Sequence, residues 1–391
     1  MKQRGFTLLE LMVSTAIAMI LLAGAMTVAV QFQKRSAFEE QTMMAQLTAR
    51  AVKEIFANDL LSAGMGMGNS PVTFGDGDLR VPITVLTEPD LSAAHALFPG
   101  DASTFALPPP PYDAVFRSDA LQLWWGNLDT VAQMDDCAGG AVYRIREGSP
   151  NDFCTAPDPD VALDGQQAFL VNPTVGFGCH LEITGVASDQ ISATPGRTGN
   201  NITSGACADP ADPAWTQTGW LTMAAAGASY RVNWAGGSPV LEYDPPDPPE
   251  INWVPLSRDV ERLKVRQAVI DLTNPLGERR WFPDPAAGRN TAVDECVLAD
   301  AVVGGPCEVL GMTPAPATDA ELRLALQQRV RELEVTLIIR SQRADPERIT
   351  PGFLPLDEDD FPQDGYRRRT LTFRVHARNF TYAGLVPELT P

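Results

Sequence analysis

No proline precedes Pro71, no cysteine precedes Cys137, and the 391 residues include only three histidines, His95, His180 and His376. The missing proline leaves the front of the chain able to run as one long helix, since proline removes a donor and clashes inside a helix. The scarce, scattered histidines and the absence of any Cys-x-x-Cys pair argue against the common zinc arrangements. Gly-x-Ser-x-Gly, Gly-x-x-x-x-Gly-Lys and His-Glu-x-x-His are also missing. The sequence therefore offers no nucleophile elbow, phosphate cradle or metalloprotease helix. Positive charge is short as well: 30 Lys and Arg stand against 49 Asp and Glu, a net of −19. Residues 1–62 are nearly neutral, with six basic and five acidic side chains, so the remainder carries a net of −20. Such a head repels nucleic-acid phosphates and anionic lipid unless folding gathers a basic patch.

Apolar residues are plentiful at 44%, enough for a packed core in one large or two modest domains. They concentrate first at Phe6 to Val30, 25 residues with one charge, Glu10. That run is long enough to span a bilayer. Lys2 and Arg4 precede it, which keeps the first residues cytoplasmic and sends the rest outward. A secretory signal peptide would carry a longer basic region, a shorter apolar run and a small-x-small cleavage site. From Gln31 to Ser62 there is neither Pro nor Gly, and apolar residues recur at Met44, Leu47, Ala51 and Ile55 and at Val52, Phe56 and Leu60. This is the stripe of an amphipathic helix, ended by Gly64, Gly66 and Gly68. One helix from Phe6 to Ser62 would measure about 85 Å. Glu10 within the apolar run costs about 2–3 kcal/mol by insertion scales, less near a helix end. Two readings follow: a side chain reaching for headgroups, or one half of a charge pair completed by another subunit.

Gly5-Phe6-Thr7-Leu8-Leu9-Glu10-Leu11-Met12-Val13 resembles the signal of type IV pilins and pseudopilins. The resemblance implies cleavage after Gly5 by a prepilin peptidase, methylation of the new amino terminus at Phe6, and a pairing of Glu10 with a neighbouring subunit's terminal amine. Further along, Asp59-Leu60-Leu61-Ser62-Ala63-Gly64-Met65, Ser118-Asp119-Ala120-Leu121-Gln122-Leu123, Asp259 to Val265, Arg331 to Ser341 and Arg368 to Asn379 resemble, in order, segments of PilW-type minor pilins. Where that family often continues its Val-x-x-Leu strand with an aromatic-Gly pair, this chain has Gln267-Ala268. Residues 126–258 carry no recognised motif. The resemblance implies a minor pilin with no enzymatic activity and no cofactor. It would rest in the bacterial inner membrane with its head in the periplasm, then prime pilus assembly at or near the tip of an extracellular pilus used in adhesion and twitching motility. Implied partners are other minor pilins, the major pilin, the assembly platform and a PilY-type tip adhesin; nucleic acid is not among them. The alternatives are a J-type pseudopilin of type II secretion, whose head is usually much smaller, and an exported hydrolase on a membrane anchor, which would need a catalytic cluster that is not visible.

The head, residues 63–391, reads as strand-rich. Leu371, Phe373, Val375 and Ala377 alternate with polar residues, the period of a half-buried strand. Further strands are expected at 333–339, 121–125, 141–145, 181–184, 229–234 and 260–269. Thr318-Asp319-Ala320-Glu321 is a capping box opening a helix expected to run from Asp319 to Arg331. A long front helix on an antiparallel sheet makes an α+β fold, the type IV pilin-like roll that the resemblance implies. Six cysteines, all beyond the front helix, fit disulfides in an exported head, with buried free thiols as the other reading. Cys296 and Cys307 flank the turn Gly304-Gly305-Pro306 and are expected to pair. Cys137 with Cys154 and Cys179 with Cys207 is the simplest of several completions. Asp357 to Asp360 and Asp76-Gly77-Asp78 lack EF-hand spacing and read as solvated acidic loops before calcium sites, so no metal is expected. The seven tryptophans read as core or interface before ligand groove.

Overall fold

The computed structural model describes residues 8–380, except 76–77, 93–103, 111, 136–142, 145–150, 156–163, 188–189, 198–199, 246–251, 272–278, 309–314, 346–348 and 350–360. A single helix spans Leu8–Ser62, 55 residues, about 83 Å long at 1.5 Å per residue. Residues 8–36 all face outward. The helix sits on the head through Ala45, Ala49, Val52, Phe56, Leu60 and Ala63, spaced three or four apart as one helix face requires. This corrects half of the expected stripe. Val52, Phe56 and Leu60 are buried, but Met44 is 45% and Leu47 57% exposed, Ala51 is exposed and Ile55 half-buried. Met44, Ala51 and Ile55 each precede a buried residue by one position, about 100° around the helix. The apolar sector is therefore wider than the seat it occupies.

Two sheets form the head. The smaller has four antiparallel strands in the order Arg279–Phe282, Val260–Ile270, Val330–Arg340, Arg368–His376. The larger has 14 strands and is organised on Leu221–Asn233. The first part of that strand pairs with Gln167–Asn172 and its later part with Ala120–Gly126 and Val240–Asp244. One pairing departs from the antiparallel expectation: Val72–Gly75 runs parallel to Phe177–Val186. The front helix, Ala120–Gly126, the end of Leu221–Asn233 and the small sheet share one core. Residues between 132 and 220 build a second around Trp215 and Trp220. The motif-free stretch thus divides, because Tyr230, Val232, Trp234 and Leu241 belong to the main core.

The helix after Thr318 runs Asp319–Gln327, not to Arg331. Val330–Arg340 is paired along both edges, and that ladder claims the chain from 330 onward. Thr318 Oγ1 accepts from the Glu321 amide, as a cap should, while the Glu321 carboxylate takes the Ala317 amide rather than that of Thr318. The tryptophans are dispersed. Trp215 and Trp220 stack in the second core, Trp234 lies in the main core, and Trp281 lies between two arginines on the small sheet.

Candidate assembly helix and its seat on the head

The front helix has two chemically distinct halves. In the first, the polar side chains satisfy themselves against their own backbone. Ser14 and Thr15 donate to the Leu11 carbonyl at 3.0 Å, and Thr27 donates to Ala23 at 2.9 Å. Back-bonding of this kind is what a helix in a water-poor environment needs. By length and composition this segment is able to cross a membrane. Glu10 is an exposed carboxylate within this apolar half of the helix. Gly5 and Phe6 lie outside the described residues, as do Cys137, Asp76 and Asp357 to Asp360.

The second half is fixed to the head by groups drawn from distant parts of the sequence. Phe56 stacks on Tyr230 with ring centroids 4.0 Å apart. The Tyr230 hydroxyl donates to Asp59 one turn later. Burial pushes the Asp59 carboxyl above its ordinary range, with the Tyr230 donor opposing the shift. Burial, with Asp59 nearby, pushes the Tyr230 phenol up as well. At the end of the helix, Asn379 Nδ2 donates to the carbonyls of Leu61 and Ala63, each at 3.0 Å, and of Ser62 at 3.4 Å. These are among the carbonyls a helix end leaves without intrahelical partners.

The segments quoted from the family resemblance meet behind this seat. Ser118 Oγ accepts from the Leu263 amide at 3.2 Å. The buried Asp119 carboxylate accepts from the Val265 amide and from Lys264 Nζ, both at 2.8 Å. The Ser-Asp pair thereby fastens Ala120–Gly126 of the large sheet to Val260–Ile270 of the small one. Arg368 is held between two carboxylates, Glu261 at 2.6 and 3.2 Å and Asp364 at 2.8 and 2.7 Å. Its guanidinium also lies 4.9 Å from the Phe116 ring centroid. Arg331 is pushed down to about 10 by burial, with Arg329 adding to the shift, and donates to the Gln328 and Val330 carbonyls. Asp59, Arg368 and Asn379 were thus inside recognisable segments, but their roles were not readable there. Tyr230 had only its place in an expected strand.

Cys179 is bonded to Cys207 and Cys296 to Cys307. The first bond lies in the second core, the second beside the small sheet in the main core. Asp78 is engaged by Arg80 at 2.6 Å. Among the described residues no three or more His, Cys, Asp or Glu side chains gather as a metal site would require.

Residues 1–26 match the family model of the prokaryotic N-terminal methylation motif. Among curated proteins none matches the sequence. Among solved structures, a type IV-like pilin from Thermus thermophilus aligns over 86% of this chain and 95% of its own, at 11% identity and a TM-score of 0.26. A score that low assigns no fold, and the architecture stands on the helix and sheets described above.

Proposed function

We propose that the chain is a minor pilin of the PilW type. It inserts in the bacterial inner membrane by the first half of its front helix, is cut after Gly5 by a prepilin peptidase and methylated at Phe6. It then joins other minor pilins to prime a type IV pilus, with its head outside the cytoplasm. The supporting observation is the methylation motif set directly on a 55-residue helix whose apolar half faces outward while its other half is bonded to the head. A subunit built this way offers a sticky rod for lipid or for a helical bundle and carries its head with it. In a bundle, Glu10 and the methylated amine of a neighbouring Phe6, which keeps its positive charge, would neutralise each other where the dielectric is low.

The test is Glu10→Gln in a strain holding only that copy. Removing one partner of a buried pair costs about 3–5 kcal/mol, and here the loss falls on assembly, since the monomer in lipid has no such neighbour. Leader cleavage and membrane insertion should be unchanged, while piliation and recovery of the minor-pilin complex should fall. Normal piliation with normal complex recovery would refute the pairing. Lost protein secretion with intact pili would assign the subunit to a pseudopilus instead.

A further inference from the structure

Lys264, where the two sheets are fastened together, is surrounded by more acid than an ion pair needs. Its Nζ lies 2.8 Å from Asp119 Oδ1 and 2.6 Å from Glu88 Oε1. The Asp119 side chain is 4% exposed, against 24% for Lys264 and 37% for Glu88. The carboxyl is thus sealed in the fold, while the amine and the second acid reach the surface. Each oxygen of Asp119 also holds a backbone amide: Oδ1 accepts from Glu88 at 3.2 Å and Oδ2 from Val265 at 2.8 Å. Burial pushes the Asp119 carboxyl up, with Lys264 and the two amides opposing the shift.

Glu88 holds its place under strain. Among the described residues it is the one non-glycine residue with positive φ, +45°, a conformation that side chains rarely adopt. Thr87 beside it is pinned by Asp294, which accepts from its amide and its hydroxyl, each at 2.7 Å. In this conformation a single residue gives its amide to Asp119 and its carboxylate to Lys264. Strain kept by the surrounding structure marks positions where geometry is put to use. Charge balance does not call for it, since Asp119 alone neutralises Lys264.

These three groups have the parts that an amide condensation needs. The amine touches Oδ1, which is one covalent bond from the carboxyl carbon it would attack. A donor sits on each oxygen, where charge develops in the tetrahedral intermediate. The second carboxylate touches the amine and can carry its protons. Groups fixed in this way react at effective concentrations of about 10⁵–10⁸ M.

We propose that Lys264 and Asp119 join through an intramolecular isopeptide bond, with Glu88 as the proton carrier. Glu88 takes a proton from the Lys264 ammonium, and the freed electron pair of Nζ attacks Asp119 Cγ. A Cγ–N bond forms and one Cγ–O bond breaks. The departing oxygen leaves as water with two protons, both drawn from the amine and carried by Glu88. One ammonium and one carboxylate become one amide and one water, so charge balances and nothing is oxidised or reduced. The bond ties the two sheets covalently across 145 positions of sequence. The site is separate from the outward face of the front helix and goes beyond the assembly reading.

The experiment is tryptic mapping of the full chain, purified in detergent, then reduced and denatured. Without the bond, trypsin releases residues 118–144 as a linear peptide and cuts after Lys264. With it, Lys264 resists cleavage, and residues 118–144 and 263–266 emerge as one branched peptide, lighter than their sum by one water. The unmodified chain should give the branched peptide. Lys264→Arg keeps the positive charge and should give none. Glu88→Gln keeps the shape of the side chain, and should lower the branched yield from freshly made protein about tenfold or more. Circular dichroism checks that both variants are folded, and the map of the unmodified chain tests the bond without either of them. Linear 118–144 in full yield from the unmodified chain would overturn the proposal. So would a folded Glu88→Gln chain as fully branched as the parent.

Discussion

Replacing Asn379 tests whether the turn Arg378–Phe380 holds the front helix in place. The helix ends under unusual demands. The Gly64 amide, which would ordinarily close on the Leu60 carbonyl, goes to the Trp124 carbonyl at 2.8 Å. The Ser62 carbonyl has a second donor, the Met65 amide at 2.9 Å, so the Asn379 amide matters most for Leu61 and Ala63. Asn379→Ala leaves these two carbonyls short of a donor in a half-buried corner. An unsatisfied buried acceptor costs about 1–3 kcal/mol, and water recovers part of that where it has access. A loss of about 2 kcal/mol follows, which for a domain of this size lowers the melting temperature by about 3 °C. Asn379→Asp should be worse than Asn379→Ala, since a carboxylate donates nothing and repels the carbonyls. The assay is thermal unfolding of the full chain in detergent, with hydrogen exchange of the helix end as a local readout. An Asp variant as stable as the parent, or unchanged exchange near residues 61–65 in the Ala variant, would refute the capping role.

Three further outcomes are expected. Gly64→Ala should cost about 3 kcal/mol by thermal melt, because Gly64 has φ +75° and a Cβ there would lie 2.3 Å from the Gly68 carbonyl oxygen; a neutral result would mean the turn is free to rearrange. Cys296→Ala with Cys307→Ala should lower stability by about 3 kcal/mol, from the loop the bond closes, and native protein should resist thiol labelling at both positions. Asp59→Asn should match the parent in acid and exceed it at higher pH. The folded Asp59 pKa is raised by burial, so its contribution is fully present below the unfolded value and is lost as pH rises through the folded one; a parent more stable than the variant at pH 8 would contradict this.

The parts of the fold legible in sequence were those whose pattern is local. The helix Leu8–Ser62 announces itself by the absence of Pro and Gly and by its apolar run, and the strand Arg368–His376 by strict alternation. The seat was harder. Which of two adjacent apolar rows becomes buried depends on the shape of the head, and Ala45 and Ala49 are too small to stand out in hydropathy. The end of the helix at Gln327 was misjudged because residues 328–331 keep the helical pattern while their pairing partners are far off in the chain. Asn379 looked like the end of a strand motif, and its bond to the carbonyl of Leu61, 318 positions earlier, has no local signal at all.

The glycines at 64, 66 and 68 bear on how rigidly the front helix is joined to the head. Three glycines in five residues end the helix, and a loose turn there would leave the head free to swing. The structure uses them in the opposite sense. All three have positive φ, so each permits a turn that other residues resist, and at Gly64 and Gly66 the space a side chain would need is filled. A Cβ at Gly64 would also meet the Phe380 ring at 2.7 Å, and one at Gly66 would meet Met223 Sδ at 2.3 Å. The turn is tied down by the Gly126 amide donating to the Met65 carbonyl at 2.8 Å and by the Gly68 amide donating to that of Gly64 at 2.6 Å. With Asn379 below and the Phe56–Tyr230 stack above, the helix leaves the head as a fixed strut. A rod that anchors a head within a bundle needs this property, because any pull on the head then reaches the helix without first unwinding the connection. Hydrogen exchange at residues 64–68 should therefore be as slow as in the adjoining strands, and fast exchange confined to this turn would restore the hinge.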